Sequence, residues 1–398
     1  MRKYFLHTIF IILSILFIEN KIVATTTNID FYGDTVKINI DESIKIPFND
    51  SLSATSVQYF HDELLHSEFK STINDLVNIQ QNRKLSDWLF YQLIRKTAEN
   101  ISPKEKNYTR YTLYKWFLLT KCGYDATLSV SKNHILFYVK SDENIYGIPF
   151  YTKENNQYIC LNYHDYGKID FKNETMEEVK IDIPNAIKSF SYKINQLPDF
   201  QKNEYDNKTL SFNYQNKKYD FHIKLNPQIQ QIFKNYPVVD FETYFNIPVS
   251  KETYSSLIPE LKKQLDELTQ QEGVDYIMNF TRHAFLYETD QINFGEEKRL
   301  SPEQTLLYKY SDCDDRASLF FYLIKEIYNL PMIAVLYPTH ISMAVKFDKP
   351  IGNSIDYNGE KYSFCDPTPQ KTELSLGEIG KKYKHLKYEI VYAYHPLK

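Results

Sequence analysis

Glycine is scarce in this 398-residue chain, which holds ten, together with two tryptophans and four cysteines. There is no glycine-rich phosphate loop, no His-Glu-x-x-His pair and no Cys-x-x-Cys pair. Nucleotide, zinc and redox-cofactor chemistries therefore find no support, and neither a cofactor nor a metal is expected. Basic side chains number 47 against 51 acidic ones, so the chain carries no excess of positive charge with which to bind nucleic acid. Aromatic residues are abundant, with 34 Tyr and 26 Phe. They can fill large cores, and since such richness can also reflect nucleotide composition it is not read as a ligand signal. A chain of this length is expected to form two or three domains.

At the N-terminus Arg2-Lys3 precede an apolar stretch from Phe10 to Ile18, then polar Glu19-Asn20-Lys21 and Ala24. That order is a secretory signal peptide over residues 1–24, which implies export, periplasmic or secreted. The apolar run is short for a membrane span, and no integral membrane domain is expected beyond it. Of the four cysteines, Cys122 and Cys160 can pair or stay reduced, and the sequence leaves both open.

The chemistry gathers near the other end. Cys313 stands just before a run in which Ala317, Phe320, Phe321, Ile324 and Ile327 recur at helical spacing until Leu330-Pro331 stops it. A thiol at a helix N-terminus meets unpaired N–H groups and the positive end of the dipole, so a lowered pKa is expected. Asp314 and Asp315 read as first-turn partners of that dipole. A strand from Met332 to Tyr337 follows, then Pro338-Thr339 turns into a second strand with His340 opposite the apolar face of Ile341, Met343, Val345 and Phe347. A third strand after Asn358-Gly359 puts Tyr362, Phe364 and Asp366 on one face. Cys313 as nucleophile, His340 as general acid and base, and Asp366 as its orienter make a thiol triad for acyl chemistry.

Asp312-Cys313-Asp314-Asp315-Arg316-Ala317 and Asp366-Pro367-Thr368 resemble the core of the transglutaminase-like superfamily, relatives of the papain-like thiol enzymes. Phe285-Leu286-Tyr287 and Ser301 to Leu306 resemble its lead-in, while Ser311 stands where the family commonly has Gly and Thr339-His340-Ile341-Ser342 departs from its usual histidine motif. The resemblance covers about the last third of the chain. It implies an α+β fold and the three triad roles. The Cys313 N–H is the natural oxyanion donor, with Tyr287 or Tyr310 expected as a wall or second donor.

A weak internal repeat accompanies the triad: Arg110 to His134 spans the same distance as Arg316 to His340, with an apolar helix and a strand between. That register sets Asn107 opposite Cys313 and Asn162 opposite Asp366. The expected organisation is a β extension over 25–55, a degenerate transglutaminase-like domain over 56–170, a β-rich linking module over 171–245 and a catalytic domain over 246–398. Strands within Ile29 to Ile46 could add to the linking module, and the Leu257, Leu261, Leu265 and Leu268 stripe predicts a helix packed on the catalytic core. The expected function is an exported cysteine enzyme acting on a peptide or protein substrate at an amide bond, hydrolysis before crosslinking because water is the abundant acceptor. The competing reading is a non-catalytic scaffold that binds a peptide or envelope polymer.

Overall fold

The computed structural model describes residues 25–49 and 51–396, so the signal-peptide expectation lies outside the described residues. Among them no helix is long and apolar enough to cross a membrane. The architecture is mixed helix and sheet, in accord with an α+β class.

The chain begins as a hairpin of Thr25–Phe31 and Asp34–Ile40. Its residues alternate between faces, burying Ile29, Phe31, Val36, Ile38 and Ile40. The connecting Tyr32-Gly33 both have positive φ, 55° and 80°, which is the two-residue turn whose twist suits a hairpin. Among the described residues this hairpin pairs with no other strand. Its apolar face lies on helices Lys70–Asn82 and Asp87–Ile101, and Thr72 Oγ1 donates to the Asn39 carbonyl at 2.6 Å. Helix Tyr108–Lys121 then leads into a five-stranded antiparallel sheet. Its spatial order is Phe150–Lys153, Asn156–Cys160, Ile135–Lys140, Ala126–Val130, Glu177–Val179.

The same succession occurs again. A second self-paired hairpin, Asp206–Tyr214 with Lys217–Leu225, turns at Gln215-Asn216, again both at positive φ. It packs on helices Lys251–Leu265 and Gln270–His283, where the Phe212 ring meets Tyr276 and Phe280 at 5.2 and 5.5 Å. Helix Cys313–Ile327 follows, then a sheet ordered Ser354–Tyr357, Glu360–Cys365, His340–Val345, Met332–Tyr337, Glu389–Tyr394. Numbered within each unit along the chain, both sheets have the order 3-4-2-1-5.

The repeat is thus longer than the sequence spacing suggests, and the expected linking module does not stand as one piece. Glu177–Val179, beyond residue 170, completes the first sheet, while the hairpin of 206–225 packs on the helices of the last unit. The early hairpin belongs with the first unit's helices and adds nothing to the second. Leu257, Leu261 and Leu265 are buried, as the stripe predicts. One apolar cluster runs through both units, and the Trp88 indole N–H donates to the Ile232 carbonyl at 2.9 Å. All four cysteines are free, so Cys122 and Cys160 form no disulfide.

Candidate active site

Asp312 sets where the Cys313 helix begins. Its carboxylate accepts from the Asp314 and Asp315 N–H groups at 3.0 and 3.4 Å, and Asp315 Oδ2 accepts from Asp312 N–H at 3.2 Å. This reciprocal cap makes Cys313 the first helical residue, with its own N–H outside the helical ladder. The apolar side of the helix, including Ala317, Phe320, Phe321 and Ile324, is fully buried. Asp315 therefore serves the cap, while Asp314 pairs with Arg299 at 3.3 Å.

The thiol is not in the state the helix terminus leads one to expect. Burial pushes the Cys313 pKa well above its ordinary value, and the charges of Asp314 and Asp312 push it further; the Ile341 backbone N–H acts in the other direction. Cys313 Sγ lies 3.4 Å from Asp314 Oδ1, to which the S–H donates. The helix end that should favour a thiolate also carries carboxylates on both sides of the cysteine, and burial, with their repulsion added, outweighs the dipole.

His340 opens its strand and Asp366 follows the end of the neighbouring one. His340 Nε2 and Asp366 Oδ2 are 2.9 Å apart, and both side chains are buried. Asp366 Oδ1 also accepts from the Thr368 N–H at 3.0 Å, a local turn formed by Asp366-Pro367-Thr368. With Asp366 accepting, Nε2 carries the imidazole proton and Nδ1 is left as the basic nitrogen. The Tyr383 ring stacks on the imidazole at 4.7 Å and 16°. Cys313 makes no hydrogen bond to His340 among the described residues; the thiol instead borders Ile341, the next residue along the strand.

Tyr287 is brought to the site by a short parallel ladder, Leu286↔Tyr310 and Tyr287↔Ser311. Burial raises its pKa to about 12, with the Cys313 charge the next cause, and the Arg316 guanidinium lies over its ring at 5.7 Å. Tyr310 sits on the partner strand, with the Lys309 ammonium 5.2 Å over its ring. Neither phenol hydrogen-bonds a triad residue among the described residues.

Three contributors escaped the sequence reading. Arg282 donates to the Asp366 and Leu374 carbonyls, at 2.5 and 2.9 Å, and so fixes the strand end that carries the acid. Tyr383 covers the imidazole. Asp290 joins Asp312 and Asp315 in a buried acidic group whose oxygens lie within 4.8 Å of one another. The group is close enough to share a cation, as are Asp312, Cys313 and Asp314. Burial raises the carboxyls of this group, Asp290 to about 7, Asp312 to about 8 and Asp315 well above the ordinary carboxyl value. No motif of the lead-in singles out Asp290, and a tyrosine far along an irregular segment gives no sign of Tyr383.

In the first unit the residues matched by spacing occupy other places. Asn107 is the cap, accepting from Arg110 N–H at 2.8 Å and donating to the Phe48 carbonyl at 2.9 Å. It therefore corresponds to Asp312, and Tyr108 to Cys313. The strand ladders agree, since Tyr138↔Cys160 corresponds to Met343↔Cys365, which puts Ile135 at the His340 position and Leu161 at that of Asp366. His134 pairs with Glu174 at 2.6 Å. Asn162 accepts from Phe137 N–H and donates to the Tyr108 hydroxyl and the Ile135 carbonyl. Asn107, His134 and Asn162 do not assemble into one site.

No protein-family model, curated protein or solved structure matches the chain.

Proposed function

We propose that the chain is a cysteine enzyme of the transglutaminase-like kind, cleaving or transferring an acyl group at a peptide or amide bond, with hydrolysis ahead of crosslinking. The observation that carries this reading is the buried His340–Asp366 pair at 2.9 Å, on strands that border a helix-initiating cysteine. The thiol proton passes to His340 Nδ1 as Sγ attacks the carbonyl carbon. The developing oxyanion takes a hydrogen bond from the Cys313 N–H, which the helix leaves free. As the C–N bond breaks, His340 returns the proton to the departing amine. Water, activated by the same imidazole, then releases the acyl group. Asp366 holds the proton on Nε2 and stabilises the imidazolium between these steps. An exported location and a peptide or protein substrate belong to the same proposal.

The elevated thiol pKa favours a second reading, a binding scaffold that retains the fold without turnover. Peptide-library cleavage and dansyl-cadaverine incorporation by the purified chain separate the two. The enzyme reading expects at least one activity, abolished in Cys313→Ala. Activity in neither assay, together with a thiol that iodoacetamide reaches only after unfolding, supports the scaffold.

A further inference from the structure

Against the first unit, away from the triad, lies a cavity of about 600 Å³, within the size range of small-molecule sites. Its lining is mostly charged and amide-bearing, with Gln92, Arg95, Gln228, Gln231, Lys234 and Asn235 among the residues. The carboxylates at its wall are already engaged. Asp30 pairs with Lys96 at 3.1 Å. Asp165 takes both the Lys104 ammonium and the Tyr108 hydroxyl, and Glu99 accepts from the Lys104 N–H at 3.0 Å. Arg95 and Lys234 make no direct ion pair among the described residues, although the Tyr111 hydroxyl and the Asp165 charge act on Arg95 from nearby. Burial holds the nearby His164 neutral, down to about 4, so it adds no further cation.

The first of these cations is built into the wall. Arg95 Nη1 donates to Gln92 Oε1 at 2.9 Å, which fixes the orientation of both planar groups. Gln92 is only 4% exposed, and its Nε2 finds no acceptor among the described residues. A buried amide donor beside a guanidinium that no carboxylate neutralises directly is costly unless something accepts from it. We infer that this cavity binds the carboxylate of a small hydrophilic acid, with Arg95 and Lys234 meeting the charge and the glutamines and Asn235 the polar body. The planar fork of a guanidinium matches a carboxylate in two parallel hydrogen bonds, and the ammonium adds a point charge beside it. The short helix Gln228–Ile232 starts at the cavity wall, but its Gln228 N–H is taken by Asn226 Oδ1 at 2.9 Å, so it offers little of the amide cradle that a phosphate dianion usually occupies. The inference does not depend on the thiol chemistry of the second unit.

A carboxylate of this kind can come from a sugar acid or from a free peptide C-terminus. Isothermal titration calorimetry on the full chain at neutral pH distinguishes them, with D-glucuronate and glycylglutamine tested against their uncharged twins, D-glucose and glycylglutamine amide. At least one acid should bind ten or more times more tightly than its twin, and which one does names the source. Arg95→Gln should weaken binding by roughly ten- to a hundredfold, the range for a charge-assisted hydrogen bond. Lys234→Gln, at an exposed position, should weaken it severalfold without affecting folding, and Cys313→Ala should leave it unchanged. The inference fails if neither acid binds, if the neutral twins or inorganic phosphate bind as tightly, or if Lys234→Gln and a demonstrably folded Arg95→Gln bind like the parent.

Discussion

Cys313 shows how two local rules can oppose each other at one residue. A helix start lowers a thiol pKa, while burial between carboxylates raises it, and the buried carboxylates act at shorter range through a poorer dielectric. Asp314 is the side chain in direct contact, at 3.4 Å. Replacing it with asparagine removes the charge and keeps the shape. Asp314→Asn should lower the thiol pKa and accelerate alkylation by iodoacetamide at pH 7–8 at least severalfold, read as a second-order rate against pH. An unchanged or slower rate would show that desolvation alone holds the proton. The side-chain types at the site were legible because thiol, imidazole and carboxylate each fall at an element edge. The protonation state was not, because it depends first on burial, which chain order does not report.

The apolar stripes of the helices and the alternation of the hairpins are short-range patterns, and both were readable. The one-residue slip in the repeat was not. Helix Tyr108–Lys121 is one residue shorter than Cys313–Ile327 and its following strand is one shorter, while the turn before the second strand is two longer. Lengths that cancel in this way keep the helix start and the second strand at one separation in both units, so spacing alone fits Asn107 on Cys313 as well as Tyr108 on Cys313, and only the cap and the strand register decide between them. Asn107 consequently stands at the cap and not at the nucleophile position, which makes a testable claim about the helix. Asn107→Ala should destabilise the chain by about 1–2 kcal/mol, the upper part of the range for a lost cap, because the Phe48 carbonyl also loses its donor. Asn107→Asp retains the cap and should lose less. Urea denaturation of the three proteins measures this, and equal stability of Asn107→Ala and the parent would refute the capping role.

The repeated succession of hairpin, helices and five-stranded sheet explains why residue types alone could not divide the molecule. Each hairpin lies far in sequence from the sheet of its unit, so a boundary drawn by composition separates pieces that pack together. The two units differ in their buried charge, and that difference should shape how the folded state responds to pH. In the second unit Asp290 is raised to about 7 and Asp312 to about 8, with Asp315 higher still, burial being the largest cause in each. An unfolded aspartate titrates at about 3.9. Between these values the folded chain binds more protons than the unfolded one, so this group's contribution to stability is fully present below about pH 4 and is lost as pH rises through 7–8. Lys115, lowered to about 7 by burial, acts with the opposite sign and in a higher window, between its folded pKa and the ordinary lysine value near 10.4. The melting temperature should therefore fall from pH 5 to pH 8 as far as the acidic group controls it. Asp290→Asn removes one titrating member and relieves the repulsion on Asp312, so its melting temperature should fall less over the same interval. Parallel melting curves for the two proteins across that range would mean that the carboxyls do not share protons in the folded state, and the acidic group would then need another source of positive charge to remain buried.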